Sequence, residues 1–384
     1  MRDLTITIYL AIFWMLFNLC SVFSLKSKTI FVTSFGDNVL YTLHALDKQT
    51  DQHVVILQSR RCRVDFDKAP NRIIICYETT NPLNWIRAIY HLATSNKVFI
   101  DTYYAFLAVT NFKKGVQCIQ LWHAAGAMKR FGLEDLSIHN RSAVARRRFK
   151  EVYKRFNYVV IGSEKMHQIF HRAFDVTNHQ VLRTGIPRTD FFFNEPEKTE
   201  VLANLTEDMP VIKDKKVILY APTYRDKQLI VHDLALEIEK LYEEFKDEYV
   251  LFLSLHPAVH VDLQHDFIDF VYDVSSYHIN HVSLVSDVLI TDYSSIPFEF
   301  ALLHKPIIFF AYDLEEYERT RGLWDEYEHL VPGPIARNTD ELIHILKYDE
   351  FNMGKLISFA RDWNEYSHGN SSHQLIETIY QKQN

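Results

Sequence analysis

The chain begins with an apolar run and then settles into alternation. Residues 4–25 contain no charge; Arg2 and Asp3 precede them, and Lys26 and Lys28 follow. That length is enough to cross a bilayer as a helix. Beyond Lys28, short β-branched runs recur at residues 29–34, 54–57, 72–76, 98–101, 118–121 and 158–161. Helix-like segments such as 38–46 and 84–93 lie between them, and Ser163 is a candidate helix N-cap. Apolar strands separated by helices predict a parallel sheet covered on both faces. Residues 194–214 are polar, carry Pro196 and Pro210, and read as a linker. A second alternating series follows at 217–220, 250–254, 267–272, 288–291 and 306–311. The expected fold class is α/β: two parallel-sheet domains with a ligand cleft at the carboxyl ends of their strands. The expected divisions are a membrane-associating segment 1–28, a first domain 29–195 and a second domain 196–384.

The N-terminal run admits several readings. A cleaved signal peptide is the weakest, because the basic flank is thin and no A-x-A site follows. A spanning helix and a helix lying in the membrane plane remain. Thr5, Thr7, Asn18, Ser21 and Ser24 dilute the run and Trp14 suits an interface, which favours the in-plane form. A buried core helix is the plain alternative. Arg141, Arg146, Arg147, Arg148, Lys150, Lys154 and Arg155 form a basic cluster opposed only by Glu151. It suits anionic head groups or, equally, a solvated helix face.

Composition narrows the classes. A chain of 384 residues suggests two or three domains. A hydrophobic fraction of 47% excludes disorder over the whole length. A single long uncharged stretch excludes a multispan membrane protein. The net charge of −7 argues against bulk nucleic-acid binding. Cys20, Cys62, Cys76 and Cys118 form no C-x-x-C pair, which speaks against a disulfide framework or zinc ribbon and for a reducing, cytosolic compartment.

Five segments carry candidate chemistry. Trp122-His123-Ala124-Ala125-Gly126 ends one strand and leads to Lys129 and Arg130. A histidine there, beside small residues, suits acid–base work on an anion, although a structural histidine fits equally. Gly185-Ile186-Pro187-Arg188-Thr189-Asp190 offers Arg188 to a phosphate or, alternatively, to Asp190 as a surface pair. Tyr220-Ala221-Pro222-Thr223-Tyr224-Arg225-Asp226 presents a hydroxyl and amides after a strand, or merely starts a helix. His256 precedes Pro257 just past another strand; with His260 it makes an i,i+4 pair without the carboxylate of a zinc motif. In Asp292-Tyr293-Ser294-Ser295-Ile296-Pro297-Phe298-Glu299 the two serines open a helix, where free amides favour phosphate and Ser295 is the expected N-cap. Asp65-Phe66-Asp67 has a D-x-D spacing but reads as a loop.

Taken together, these segments resemble the CDP-glycerol glycerophosphotransferase family of wall teichoic acid synthesis. WHAAG, GIPRTD, YAPTYRD, LHP, SDVLITDYSSIPFEF and AYDLEEYERTRGLWDEYE occur in the family's order. QLWHAAGAMKRFGLEDL is most like the members that add the first glycerol phosphate to a lipid-linked disaccharide. The resemblance implies a GT-B-type architecture of two Rossmann-like domains, the second of which holds the donor nucleotide. It implies functional histidines at His123 and His256, and donor contacts at Arg188, Pro222, Thr223, Ser294, Ser295 and Glu299. Trp122, Ala124, Ala125, Gly126 and Arg225 complete the expected substrate-contacting set. The partners implied are CDP-glycerol, an undecaprenyl-diphosphate-linked N-acetylmannosaminyl-N-acetylglucosamine acceptor and the cytoplasmic face of the membrane. No cofactor is obligatory on this reading, with Mg²⁺ as an optional aid. A polymerase using CDP-glycerol or CDP-ribitol, a nucleotide-sugar glycosyltransferase and a noncatalytic membrane scaffold are the alternatives.

Overall fold

A computed structural model describes residues 2–78, 81–225, 234–256 and 267–381. Asp226, Pro257 and His260 lie outside the described residues. The chain divides into two compact units: residues 1–124, 131–190 and 364–384 form the first, and 125–130 with 191–363 form the second.

The first unit is built on a seven-stranded sheet of β1 (Lys26–Thr33), β2 (His53–Gln58), β3 (Arg72–Cys76), β4 (Ser95–Ile100), β5 (Gln117–Gln120), β6 (Tyr158–Val160) and β7 (Val181–Leu182). Every pairing is parallel, in the order β3-β2-β1-β4-β5-β6-β7. Ile30, Phe31 and Val32 of β1 and Val98, Phe99 and Ile100 of β4 are fully buried, as continuous apolar runs in a two-sided sheet must be. The second unit carries β8 (Lys216–Tyr220), β9 (Tyr249–Leu253), β10 (Val271–Asp273), β11 (Val288–Thr291), β12 (Ile307–Phe310) and β13 (Ile335–Ala336). Its order, β10-β9-β8-β11-β12-β13, is again all parallel. Each sheet therefore reverses its winding once, between β1 and β4 and between β8 and β11. Loops diverge at such a reversal and leave a crevice at the strands' carboxyl ends.

Three sequence expectations change. Residues 194–214 are a helix, Glu195–Asp208, followed by a 3₁₀ turn, Pro210–Lys213. Pro196 falls in the first turn, where its missing N–H is harmless, and the Asn194 side chain accepts the Glu197 amide. The strand expected at 267–272 is only Val271–Asp273. The tail, assigned above to the second domain, belongs from Asn364 onward to the first unit. There the helix Ser371–Gln381 lies against the helix Asp37–Gln49, and Tyr380 bonds Thr29 of β1.

The N-terminal run is a helix, Arg2–Cys20, the one helix among the described residues long and apolar enough to cross a membrane. Leu10, Phe13, Phe17 and Cys20 bury one narrow strip against the helix Pro82–Ala93 and the turn Ala105–Val109. Phe13 stacks on Phe106 at 5.0 Å and meets Trp85 edge-on at 6.1 Å. Leu4, Ile8, Ile12, Met15 and Leu19 share the opposite face and are exposed.

Candidate active site

The first reversal point is organised by Asp101, the residue after β4, which is 1% exposed. Its carboxylate accepts the Thr33 hydroxyl at 2.6 Å and the amides of Ser34, Phe35 and Gly36 at 3.0, 2.9 and 3.1 Å. The Tyr104 hydroxyl adds a fifth donor at 2.7 Å. Three consecutive amides can converge only if the chain turns sharply. Gly36 allows this, with φ of +101° and a missing Cβ that would lie 2.5 Å from Val64.

His123 stands over this loop. Its ring is parallel to Phe35, 4.0 Å away and 6° from coplanar, and its Nδ1 lies 3.2 Å from the Asp101 carbonyl. A carbonyl only accepts, so Nδ1 carries a proton, and in the neutral ring Nε2 then holds the lone pair. Trp122 aims the histidine. Its φ is +61°, uncommon for a bulky residue, and three contacts hold it there. The Trp122 amide donates to the Gln120 side chain at 2.9 Å, its carbonyl accepts from Asn38 at 2.9 Å, and the indole packs on Phe131, Phe170 and Phe174. Trp122, one of the expected substrate-contacting set, is a buried hook in this structure.

Arg188 is tied to the start of the helix Asp37–Gln49. Its amide donates to Asn38 Oδ1 at 3.0 Å and its guanidinium to Asp37 at 3.2 Å. Asp190 accepts the amides of Ser371 and Ser372. Gly185 is required because a Cβ would meet the Tyr366 carbonyl at 2.4 Å. Asn38, which joins Trp122 to Arg188, was missed: one buried polar side chain early in a helix carries no signal in isolation.

At the second reversal point Asp292, the first residue after β11, repeats the device. Its carboxylate accepts the Thr223 amide at 2.8 Å and the Tyr293 amide at 2.6 Å. Arg225 bonds Asp292 at 2.9 Å and Asp313 at 2.9 and 3.0 Å, with only 12% of its side chain exposed. The rings of Tyr293 and Tyr317 flank it at 5.2 and 5.0 Å. Arg225, expected to bind substrate, is a rivet joining three loops. Thr223 Oγ1 is buried and has no partner among the described residues. Pro222, Thr223, Tyr224, Leu255, His256 and Tyr312 line one cavity. His256 stacks on Tyr224 at 4.4 Å.

The Ser294 hydroxyl, not Ser295, caps the next helix by accepting the Ile296 amide at 3.2 Å. Ser295 has αR geometry and makes no side-chain cap. That helix is short, Ile296–Phe300, and Glu299 in its first turn is 1% exposed. Ala124 and Ala125 are buried where the chain leaves the first unit. Gly126 faces Phe298, whose ring a Cβ would meet at 2.4 Å, so packing requires the glycine. Met128 to Arg130 then run antiparallel to residues 322–324. Burial pushes the Lys129 ammonium down to about 8, partly countered by Asp292. No group of three or more potential metal-ligating side chains converges among the described residues.

Two all-parallel sheets, each with a polar loop cluster at its reversal point, define a doubly wound α/β protein. The wall teichoic acid polymerase TagF superposes with a TM-score of 0.81 at 24% identity, over 99% of this chain and 97% of that one. A Staphylococcus aureus MnaA–UDP structure superposes at 0.58 and 12% identity, over 92% and 96%. The teichoic acid glycerol-phosphate primase of Bacillus subtilis (strain 168) is 37% identical over 92% of each chain. The teichoic acid poly(ribitol-phosphate) polymerase of Bacillus spizizenii (strain ATCC 23059 / NRRL B-14472 / W23) is 38% identical over 76% of this chain and 47% of its own length. Residues 15–381 match the CDP-Glycerol:Poly(glycerophosphate) glycerophosphotransferase model, and the chain belongs to that family.

Proposed function

We propose that this enzyme transfers one glycerol phosphate from CDP-glycerol to an undecaprenyl-diphosphate-linked N-acetylmannosaminyl-N-acetylglucosamine disaccharide and releases CMP, the priming step of wall teichoic acid synthesis. The observation that carries it is the 37% identity to a glycerol-phosphate primase, spread over 92% of both chains.

On this reading a sugar hydroxyl of the acceptor attacks the glycerol-bearing phosphorus. The new P–O bond forms as the bond to the bridging oxygen breaks, and CMP leaves with that electron pair. His123 takes the hydroxyl's proton on Nε2, since Nδ1 is already committed to a carbonyl. General-base help of this kind is typically worth roughly 10²–10⁴-fold. His256, the Thr223 hydroxyl and the loop at Ser294 and Ser295 hold the donor in the second unit. Lys129 adds positive charge near them. Arg188 is shared with Asp37 and contributes less than its sequence position suggests.

The N-terminal helix supports work at a membrane surface. One face is covered by protein while the opposite face is apolar and open, the pattern of a helix lying in the interface. Incubation with CDP-glycerol and a synthetic disaccharide lipid tests the reading by mass. A single added glycerol phosphate is expected. A ladder of additions makes the enzyme a polymerase, and absence of CMP release ends the proposal.

A further inference from the structure

Phe35 is 46% exposed, yet it is locked against His123 by a loop whose three amides and one hydroxyl are tied to a single carboxylate. We propose that Asp101 and Phe35 are positioning residues for His123. This inference rests on the reading of His123 as the base.

Asp101 acts twice. Its side chain fixes the loop that carries the Phe35 ring. Its main-chain carbonyl accepts a hydrogen bond from Nδ1–H and so favours Nε2 as the nitrogen that meets substrate. Phe35 then fixes the plane of the imidazole, and its face favours the cation formed once the proton has moved. The side chain of Asp101 is saturated: an ionised carboxylate offers about four lone-pair sites, and five donor groups converge on it. An amide there would turn a donor toward donors. Asp292 provides the contrast. It ties the equivalent loop of the second unit through the Thr223 amide, but its side chain also takes Arg225, and no histidine is bonded to its main chain among the contacts described. The arrangement at Asp101 therefore does more than close a crossover.

The test compares steady-state CMP release by full-length Phe35→Ala, Phe35→Tyr, Asp101→Asn and His123→Ala. Phe35→Ala lowers kcat by about 10–100-fold, the loss expected when a reacting group is misplaced by about 1 Å. Its KM for CDP-glycerol and acceptor stays within about twofold of the parent, and Phe35→Tyr recovers most of the loss. In ¹⁵N spectra of histidine-labelled protein, the signal absent from His123→Ala reports an Nδ1–H ring in the parent and in Asp101→Asn, which keeps the carbonyl; Asp101→Asn loosens the loop and lowers kcat as Phe35→Ala does. A Phe35→Ala enzyme with unchanged kcat, or with only a raised KM, overturns the inference while an inactive His123→Ala leaves the base in place. Should Asp101→Asn fail to fold, the two Phe35 variants decide alone. An active His123→Ala removes the base reading itself, and the positioning role with it.

Discussion

The carboxylate of Asp190 accepts the backbone amide of Ser371 at 2.8 Å, across 181 residues of sequence. Ser372 adds its amide at 2.9 Å and its hydroxyl. The charge thus caps the start of the last helix and ties the tail to the GIPRTD loop. Asp190→Ala removes all three bonds from a residue only 8% exposed. Bonds to charged groups of this kind contribute about 1.5–3 kcal/mol each at most, and their loss is not additive. Chemical denaturation should show a stability loss of about 2–4 kcal/mol. A KM change at unaltered stability would show that Asp190 serves substrate instead.

Arg225 yields an opposite expectation to the one its motif suggests. Arg225→Met leaves Asp292, 2% exposed, and Asp313 without their cation. Removing one partner of a buried pair costs roughly 3–5 kcal/mol. The variant should therefore melt earlier and express poorly. A stable protein with only a raised KM for CDP-glycerol would contradict the rivet.

His91 predicts acid sensitivity. Burial, then the charge of Lys28, pushes its imidazole down to about 4, and it faces Lys28 Nζ at 3.0 Å. The folded state resists a proton that the unfolded chain accepts near pH 6.5, so stability is full above that pH and is lost as pH falls toward about 4. In thermal melts His91→Gln should lose less Tm between about pH 7 and pH 5 than the parent. Equal losses would remove His91 from the effect.

The open face of the N-terminal helix gives a fourth prediction. Replacing Leu4, Ile8, Met15 and Leu19 with Ser or Gln spares the strip formed by Leu10, Phe13 and Phe17. The variant should fold normally but leave anionic vesicles in a flotation assay, because four apolar side chains no longer enter the interface. Retained flotation would place binding elsewhere, first of all on the arginines of the helix Ala143–Tyr153.

The sequence was legible where a rule is local. The β-branched runs marked most strands, Ser163 capped its helix, and Asn38 to Leu46 lay within the observed helix. Strand β13, two residues long, left no periodicity to read. The segment after 194 looked like a linker because its helix buries little more than Leu205. His123 was a candidate from its place after a strand, but the contacts of Asp101, Asn38 and Asp37 around it left no trace, because each bonds a partner remote in sequence. The carboxylate partners of Arg225 were hidden for the same reason: a guanidinium offered by a loop looks identical whether carboxylates or a ligand await it.

The return of residues 364–381 to the first unit has a consequence for biosynthesis. A ribosome delivers the first sheet early, but the helix Ser371–Gln381 that packs on this unit arrives only after the second sheet. The amino-terminal half must wait, incompletely covered, while the other half is translated. Emergence of residues 364–381, rather than of β7, is then the moment at which that half can acquire its full stability.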